Sequence, residues 1–176
     1  MTRLGLVLPA ASAAALLAVT AASAAPSTRV SWSETAKVRG VPVMSFGVSA
    51  IHIGTSRWTA TVTYRNLTKR TLAFSGDSFG LAFFPSSTIT PTTKPEAFGV
   101  ADTFSHKHPS KLAPGDSWSG VISGPGQPTV TGRAWARIVF GAFTNVPGSK
   151  LFIWITDHSL VLTLGAKSSG GSGLVI

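Results

Sequence analysis

The stretch Arg57–Phe84, RWTATVTYRNLTKRTLAFSGDSFGLAFF, decides the fold. From Arg57 to Arg65 apolar and polar residues alternate. Trp58, Ala60, Val62 and Tyr64 fall on one face, and Thr59, Thr61 and Thr63 fall on the other. Successive side chains of an extended chain point to opposite sides, so this period of two predicts a half-buried β-strand. Asn66-Leu67-Thr68-Lys69-Arg70 interrupts the pattern with turn formers and charge. Leu72 and Phe74 resume it, Ser75-Gly76-Asp77 breaks it again, and Phe79, Leu81 and Phe83 make a third run. Three short strands so close together predict an all-β domain.

The same grammar extends in both directions. Upstream, Arg29–Val38 reads as an edge strand with Val30, Trp32 and either Ala36 or Val38 inward. A second strand lies within Val43–Ile53, with Val48, Ala50 and His52 on one side and Ser49, Ile51 and Ile53 on the other. Gly54-Thr55-Ser56 should join it to the Arg57–Arg65 strand as a hairpin. Downstream, Pro85–Pro95 holds three prolines and reads as a surface loop, because proline removes a ladder donor. A short strand is expected at Phe98–Val100. Trp118, Gly120 and Ile122 mark one face of another strand, closed by Gly124–Pro128.

Arg133–Thr144 is the longest strand, with Ala134, Ala136, Ile138, Phe140 and Ala142 opposite Trp135, Val139 and Phe143. Leu151–Thr156 is apolar on both faces, as a central strand would be. Leu160, Leu162 and Leu164 give the last alternation. No helical period interrupts the series, so the expected fold is a β-sandwich of seven to nine strands.

The first residues follow other rules. Arg3 precedes an apolar run from Leu4 to Ala22, and Ala22-Ser23-Ala24 meets the small-x-small cleavage pattern just before Pro26. This predicts a signal peptide over residues 1–24 and a secreted or cell-surface protein. The mature chain would be 176 − 24 = 152 residues, one domain over 25–166 followed by a Ser/Gly-rich tail, 167–176. No second run is long enough for a transmembrane helix. The chain has no Cys, so burial and not a disulfide must hold it together.

Lys and Arg total 15 against 6 Asp and Glu, a net charge of +9, or +8 once Arg3 is removed. Such a balance favours anionic partners such as wall polymers, acidic lipids or nucleic acid, and the expected partner is an unknown protein or an anionic envelope polymer. The cations look scattered along the sequence, so they read first as a solubility charge with no specific partner, and no specific nucleic-acid site is expected.

Two segments carry a family resemblance. Tyr64-Arg65-Asn66-Leu67-Thr68 leads into Leu72-Ala73-Phe74, and Leu112-Ala113-Pro114-Gly115-Asp116 opens a strand at Ser117-Trp118. Together they resemble exported bacterial immunoglobulin-like domains, over about half of the mature chain. The resemblance implies an immunoglobulin-like sandwich acting as a non-catalytic binding module. Related proteinase inhibitors of immunoglobulin-like fold suggest an alternative, with Pro85–Pro95 as the inhibitory loop. The paired Cys of antibody domains is absent.

Candidate chemistry is sparse. Gly76-Asp77-Ser78-Phe79 approaches a nucleophile turn, but no acid lies between His52 and Asp77 to complete a triad. The expectation is a turn capped by Asp77 and Ser78. His106-Lys107-His108 has ligand spacing but no evident third ligand, so it reads as a solvated basic loop, with no metal or cofactor expected. Asp157-His158 reads as a polar hairpin tip, with Asp157 bonding nearby amides. Asn66-Leu67-Thr68 is a formal glycosylation sequon and is expected to serve only as a turn. No catalytic residue is expected. The candidate ligand surface is Arg133, Trp135 and Arg137, an aromatic ring on one strand face beside two guanidinium groups.

Overall fold

The structure, a computed structural model, describes residues 28–54, 56–74, 79–90, 92–125 and 132–164. The expected signal peptide (1–24), the Gly76-Asp77-Ser78 turn, most of the Gly124–Pro128 turn and the 167–176 tail lie outside these residues. The described chain is an all-β sandwich of two antiparallel sheets. Twelve strands run in the order β1 (Thr28–Val38), β2 (Val41–Ile53), β3 (Arg57–Asn66), β4 (Leu72–Phe74), β5 (Gly80–Phe84), β6 (Ala97–Val100), β7 (Thr103–Phe104), β8 (Lys111–Leu112), β9 (Ser117–Pro125), β10 (Gly132–Thr144), β11 (Phe152–Ile155) and β12 (Leu160–Leu164). The surplus over the expected number comes from pieces of two to four residues that patch the sheet edges.

The first sheet has the order β1-β2-β3-β9-β7. The β2–β3 hairpin forms as expected, with Gly54 N donating to Arg57 O at 2.9 Å. β3 lies between β2 and β9, and its alternation holds throughout: Trp58, Ala60, Val62 and Tyr64 are all buried. In the second sheet β10 is central. β5 and β4 pair with one of its edges, and β12 and β11 with the other. β11 is therefore not the central strand that its apolar sequence suggests. It pairs only with β10, and Leu151 and Ile153 are exposed.

Two bulges change which residues face the core. An extra residue at Ser49 in β2 shifts its register against β3, so Val48 and Ile51 are both buried despite opposite parity. An extra residue between Phe140 and Phe143 of β10 does the same, and Phe143 joins Phe140 in the core instead of lying on the outer face. A bulge leaves one residue unpaired and reverses the facing of everything beyond it.

The main core fills the space between the sheets, with Tyr64 at the centre of an aromatic group that includes Phe74, Phe79, Trp118, Phe140 and Phe143. Glycine sets the sheet spacing around Trp58. A Cβ on either Gly99 or Gly124 would come within 2.7 Å of Trp58 Nε1. On the outer face of the second sheet a smaller cluster, Ala82, Phe84 and Val139, is covered by Ile89 and Ile155. Ile89 belongs to the Pro85–Pro95 loop, which is thereby laid against the sheet.

Candidate functional site

The Arg133-Trp135-Arg137 surface does not form as a unit. Arg133 is exposed, with its guanidinium carbon 4.9 Å from the centre of the Trp135 ring. Arg137 is only 3% exposed and donates to the carbonyls of Thr156, Asp157 and Ser87. Its guanidinium fastens the β11–β12 connection and the Pro85–Pro95 loop to β10. Burial pushes its pKa down, and the charges of Asp157 and Glu34 pull it back up. A side chain spent on three carbonyls cannot reach a ligand, so Arg133 and Trp135 remain without it.

The His-x-His pair is also divided. His106 is exposed and packs on Trp118, with ring centroids 4.9 Å apart. His108 leaves the expected solvated loop and enters the aromatic group, 4.3 Å from Phe74 and 5.0 Å from Phe79 between centroids. Burial pushes its pKa down, partly offset by a backbone hydrogen bond at Pro109, and burial pushes the Tyr64 phenol up. The Tyr64 hydroxyl and His108 Nε2 are hydrogen-bonded to each other at 2.6 Å. Among the described residues no group of three or more metal-ligating side chains occurs.

At the β11–β12 connection the amides of Asp157 and His158 are met by a side chain that sequence reasoning passed over. Glu34 lies on the inward face of β1, between Trp32 and Ala36, and is buried. Its carboxylate accepts from Trp154 Nε1 at 2.8 Å, Asp157 N at 3.0 Å, His158 N at 2.9 Å and His158 Nδ1 at 2.7 Å. Trp32 stacks on the His158 ring. The signal was an acid on the apolar face of an alternating strand, where it must find donors. Asp157 offers its amide to Glu34 instead of capping amides itself. The group is a latch between the two sheets.

Burial pushes Glu34 up in pKa, but the hydrogen bonds from His158, Asp157 and Trp154 outweigh it and hold the carboxyl below its usual value. A carboxyl depressed in the folded state adds stability above its unfolded pKa of about 4.3 and loses it as pH falls through the folded value. Wild type should therefore melt higher than Glu34→Gln near neutrality. That gap should close as pH falls below the unfolded pKa of about 4.3 and Glu34 protonates. Thermal melts of both proteins from neutrality to below that value check it; a gap independent of pH would contradict the ionised latch.

A site with room for a ligand lies at one end of the sandwich, where turns from both sheets meet. Asn66 builds it. Its side chain is 0% exposed, and Nδ2 donates to the carbonyls of Arg70 (2.7 Å), Leu112 (3.0 Å) and Ala113 (3.1 Å). Its Oδ1 accepts from Thr68 N and Thr68 Oγ1, both at 2.8 Å. Asn66 N donates to Asp116 O, and Gly115 N donates to Asn66 O. The two segments singled out by their sequence grammar are thus one hydrogen-bonded knot. With its amide nitrogen so occupied, Asn66 is no glycan acceptor in the folded protein.

Next to the knot, Leu67 N donates to Val43 O. Val41, Pro42 and Val43 of β2, Leu67–Arg70 and Pro147 enclose a groove of about 330 Å³. The β1–β2 turn beside it has positive φ at both Arg39 and Gly40, the signature of a tight hairpin turn that holds Val41 outward.

The fold also gathers charge here. Arg39, Arg65, Lys69, Arg70, Lys111 and Lys150 lie on these turns and the strand ends beside them, and all are exposed. Asp116 is the acid at this end, and its carboxylate accepts from Ala113 N. The ion pairs among the described residues, Arg57–Asp102 and His158–Glu34, lie elsewhere. At Asp102, hydrogen bonds from Arg57 and then Thr103 hold the carboxyl below its usual value. Six of the cations that look scattered in sequence are therefore brought to one end of the fold.

No family model, curated protein or solved structure matches this chain.

Proposed function

We propose that this protein is an exported, non-catalytic binding module of immunoglobulin-like type. It engages an anionic partner of the bacterial envelope through the basic end of the sandwich. The observation that carries this reading is the set of six exposed cations, beside one acid, Asp116, at the end of the sandwich that holds a preformed apolar groove. Like charges held together by a rigid knot raise the local potential and attract anions before contact. Arg133 and Trp135, on the outer face of the second sheet, are a separate and weaker surface.

The test is binding of the full chain to long-chain polyphosphate at low and high salt. Lys69→Glu with Arg70→Glu should weaken binding at least about tenfold at low salt, and added salt should weaken the wild type. Arg133→Glu should change little. If Arg133→Glu abolishes binding and the Lys69/Arg70 pair does not, the binding face is the outer surface of the second sheet.

A second reading, proteinase inhibition, has one observation in its favour. Pro85–Pro95 is preorganised: Arg137 binds Ser87 O, Ile89 packs on the outer cluster, and Thr90 N donates to Thr93 Oγ1 at 2.8 Å. Inhibition of a panel of secreted proteases, lost when Ile89 is changed to Asp, would establish it.

A further inference from the structure

We infer that the surface taken by the basic end is an anionic phospholipid bilayer, with Val41 and Leu67 entering the interface. This rests on the basic end being the binding face and names what it binds.

Charge alone does not explain this end. Val41 is 61% exposed, Leu67 is 40% exposed, and Leu151, on the neighbouring β10–β11 connection, is 52% exposed. All three stand on or beside turns at the end where the cations collect. The turns are stiff. Arg39-Gly40 is a tight hairpin turn, and Leu67 sits in the loop that Asn66 fastens. Apolar side chains are thus held in water by structure that is not needed to bury them. Gly148 of the 145–148 turn closes the group from the other sheet, since a Cβ there would lie 3.0 Å from Val38 Cγ1.

A polyanion in solution satisfies the cations and leaves the apolar tips in water. A folded acidic protein presents its carboxylates at a polar surface, with no apolar layer behind them for the tips to enter. A bilayer with anionic headgroups uses both features. Lys69, Arg70 and Arg39 meet phosphates at the headgroup level, while Val41 and Leu67 reach the boundary with the acyl chains. Apolar residues ringed by Lys and Arg are the pattern of interfacial binding, shown here by turns instead of a helix.

The experiment uses the full chain and two kinds of probe: vesicles of phosphatidylcholine with and without phosphatidylglycerol, and soluble polyphosphate. Val41→Ser with Leu67→Ser removes the apolar tips and keeps every charge. Because both positions are exposed, thermal melts should match wild type. The expected result is sedimentation with phosphatidylglycerol vesicles and not with phosphatidylcholine alone. The Val41/Leu67 variant should lose at least about tenfold in vesicle binding while keeping its polyphosphate binding, and the Lys69/Arg70 charge reversal should lose both.

Two results overturn the inference. If the Val41/Leu67 variant binds vesicles as wild type does, the tips do not insert, and the partner is a soluble or wall-bound polyanion or an acidic protein. In that case the basic-end reading stands and the lipid is wrong. If the Lys69/Arg70 reversal changes neither vesicle nor polyphosphate binding, the basic-end reading falls and the lipid with it.

Discussion

Val62→Asp should leave the protein largely unfolded, whereas Thr61→Asp should melt close to wild type. Val62 is 1% exposed, on the central part of β3, and pairs with Val48 and Gly120 on the two neighbouring strands. Ala60 and Tyr64 share its face, and both are buried. A carboxylate at this position meets no donor and must either stay charged in an apolar space or take up a proton. A loss of about 4 kcal/mol or more is expected, against a total stability of about 5–15 kcal/mol for a domain of this kind. Thr61 points to the other side of the sheet, where it is partly exposed next to Val121, itself exposed. An aspartate there keeps contact with water, and a change within about 1 kcal/mol is expected. Melts of the two variants make the comparison. The reverse result would mean that β3 is paired one residue out of register, with every side chain on the wrong face.

The second large effect is expected at Asn66, and its two variants differ in an informative way. Asn66→Ala removes a donor from three carbonyls and an acceptor from Thr68, at a position where Asn66 itself is fully buried. A loss of about 3 kcal/mol is expected, a drop in Tm on the order of 10 °C. Asn66→Asp keeps the shape but places an oxygen where the amide nitrogen now faces Arg70 O, Leu112 O and Ala113 O. Acceptor then faces acceptor, so this near-isosteric change should cost more than the truncation. Calorimetry on both variants tests the order. Equal losses would mean that the knot is held by its backbone hydrogen bonds, Asn66 N to Asp116 O and Gly115 N to Asn66 O, and not by the side chain. The same variants should loosen the Leu67–Arg70 wall of the groove, tying stability to the proposed binding face.

Strand identity was legible because alternation is local. The stretch Trp58–Tyr64 names its own inward face, and the turn Leu112–Asp116 is announced by adjacent Pro and Gly and found with Gly115 at positive φ. What the alternation could not carry was phase across a bulge. Ser49 in β2 and the extra residue after Phe140 in β10 reverse the facing of their neighbours, and such an insertion is defined only by the partner strand. Edge and centre were similarly hidden: β11 is as apolar as a central strand, yet its place is set by which strands pair with β10.

The candidate site divides in the same way. The sequence by itself determined that this chain makes β-strands joined by Gly, Pro and Asn turns, that Trp58, Ala60, Val62 and Tyr64 face inward, and that its charge is strongly positive. Only the tertiary structure decided where that charge goes. It buried Arg137 under three carbonyls, drew His108 into the aromatic core, and set Glu34 against Trp154 and His158, more than a hundred residues away in sequence. It also brought Arg39, Arg65, Lys69, Arg70, Lys111 and Lys150 to one end. The reason is that facing within a strand follows from the period of the chain itself. Proximity between turns depends on how strands are ordered in two sheets, and that order is set by burial and hydrogen bonding across the whole domain.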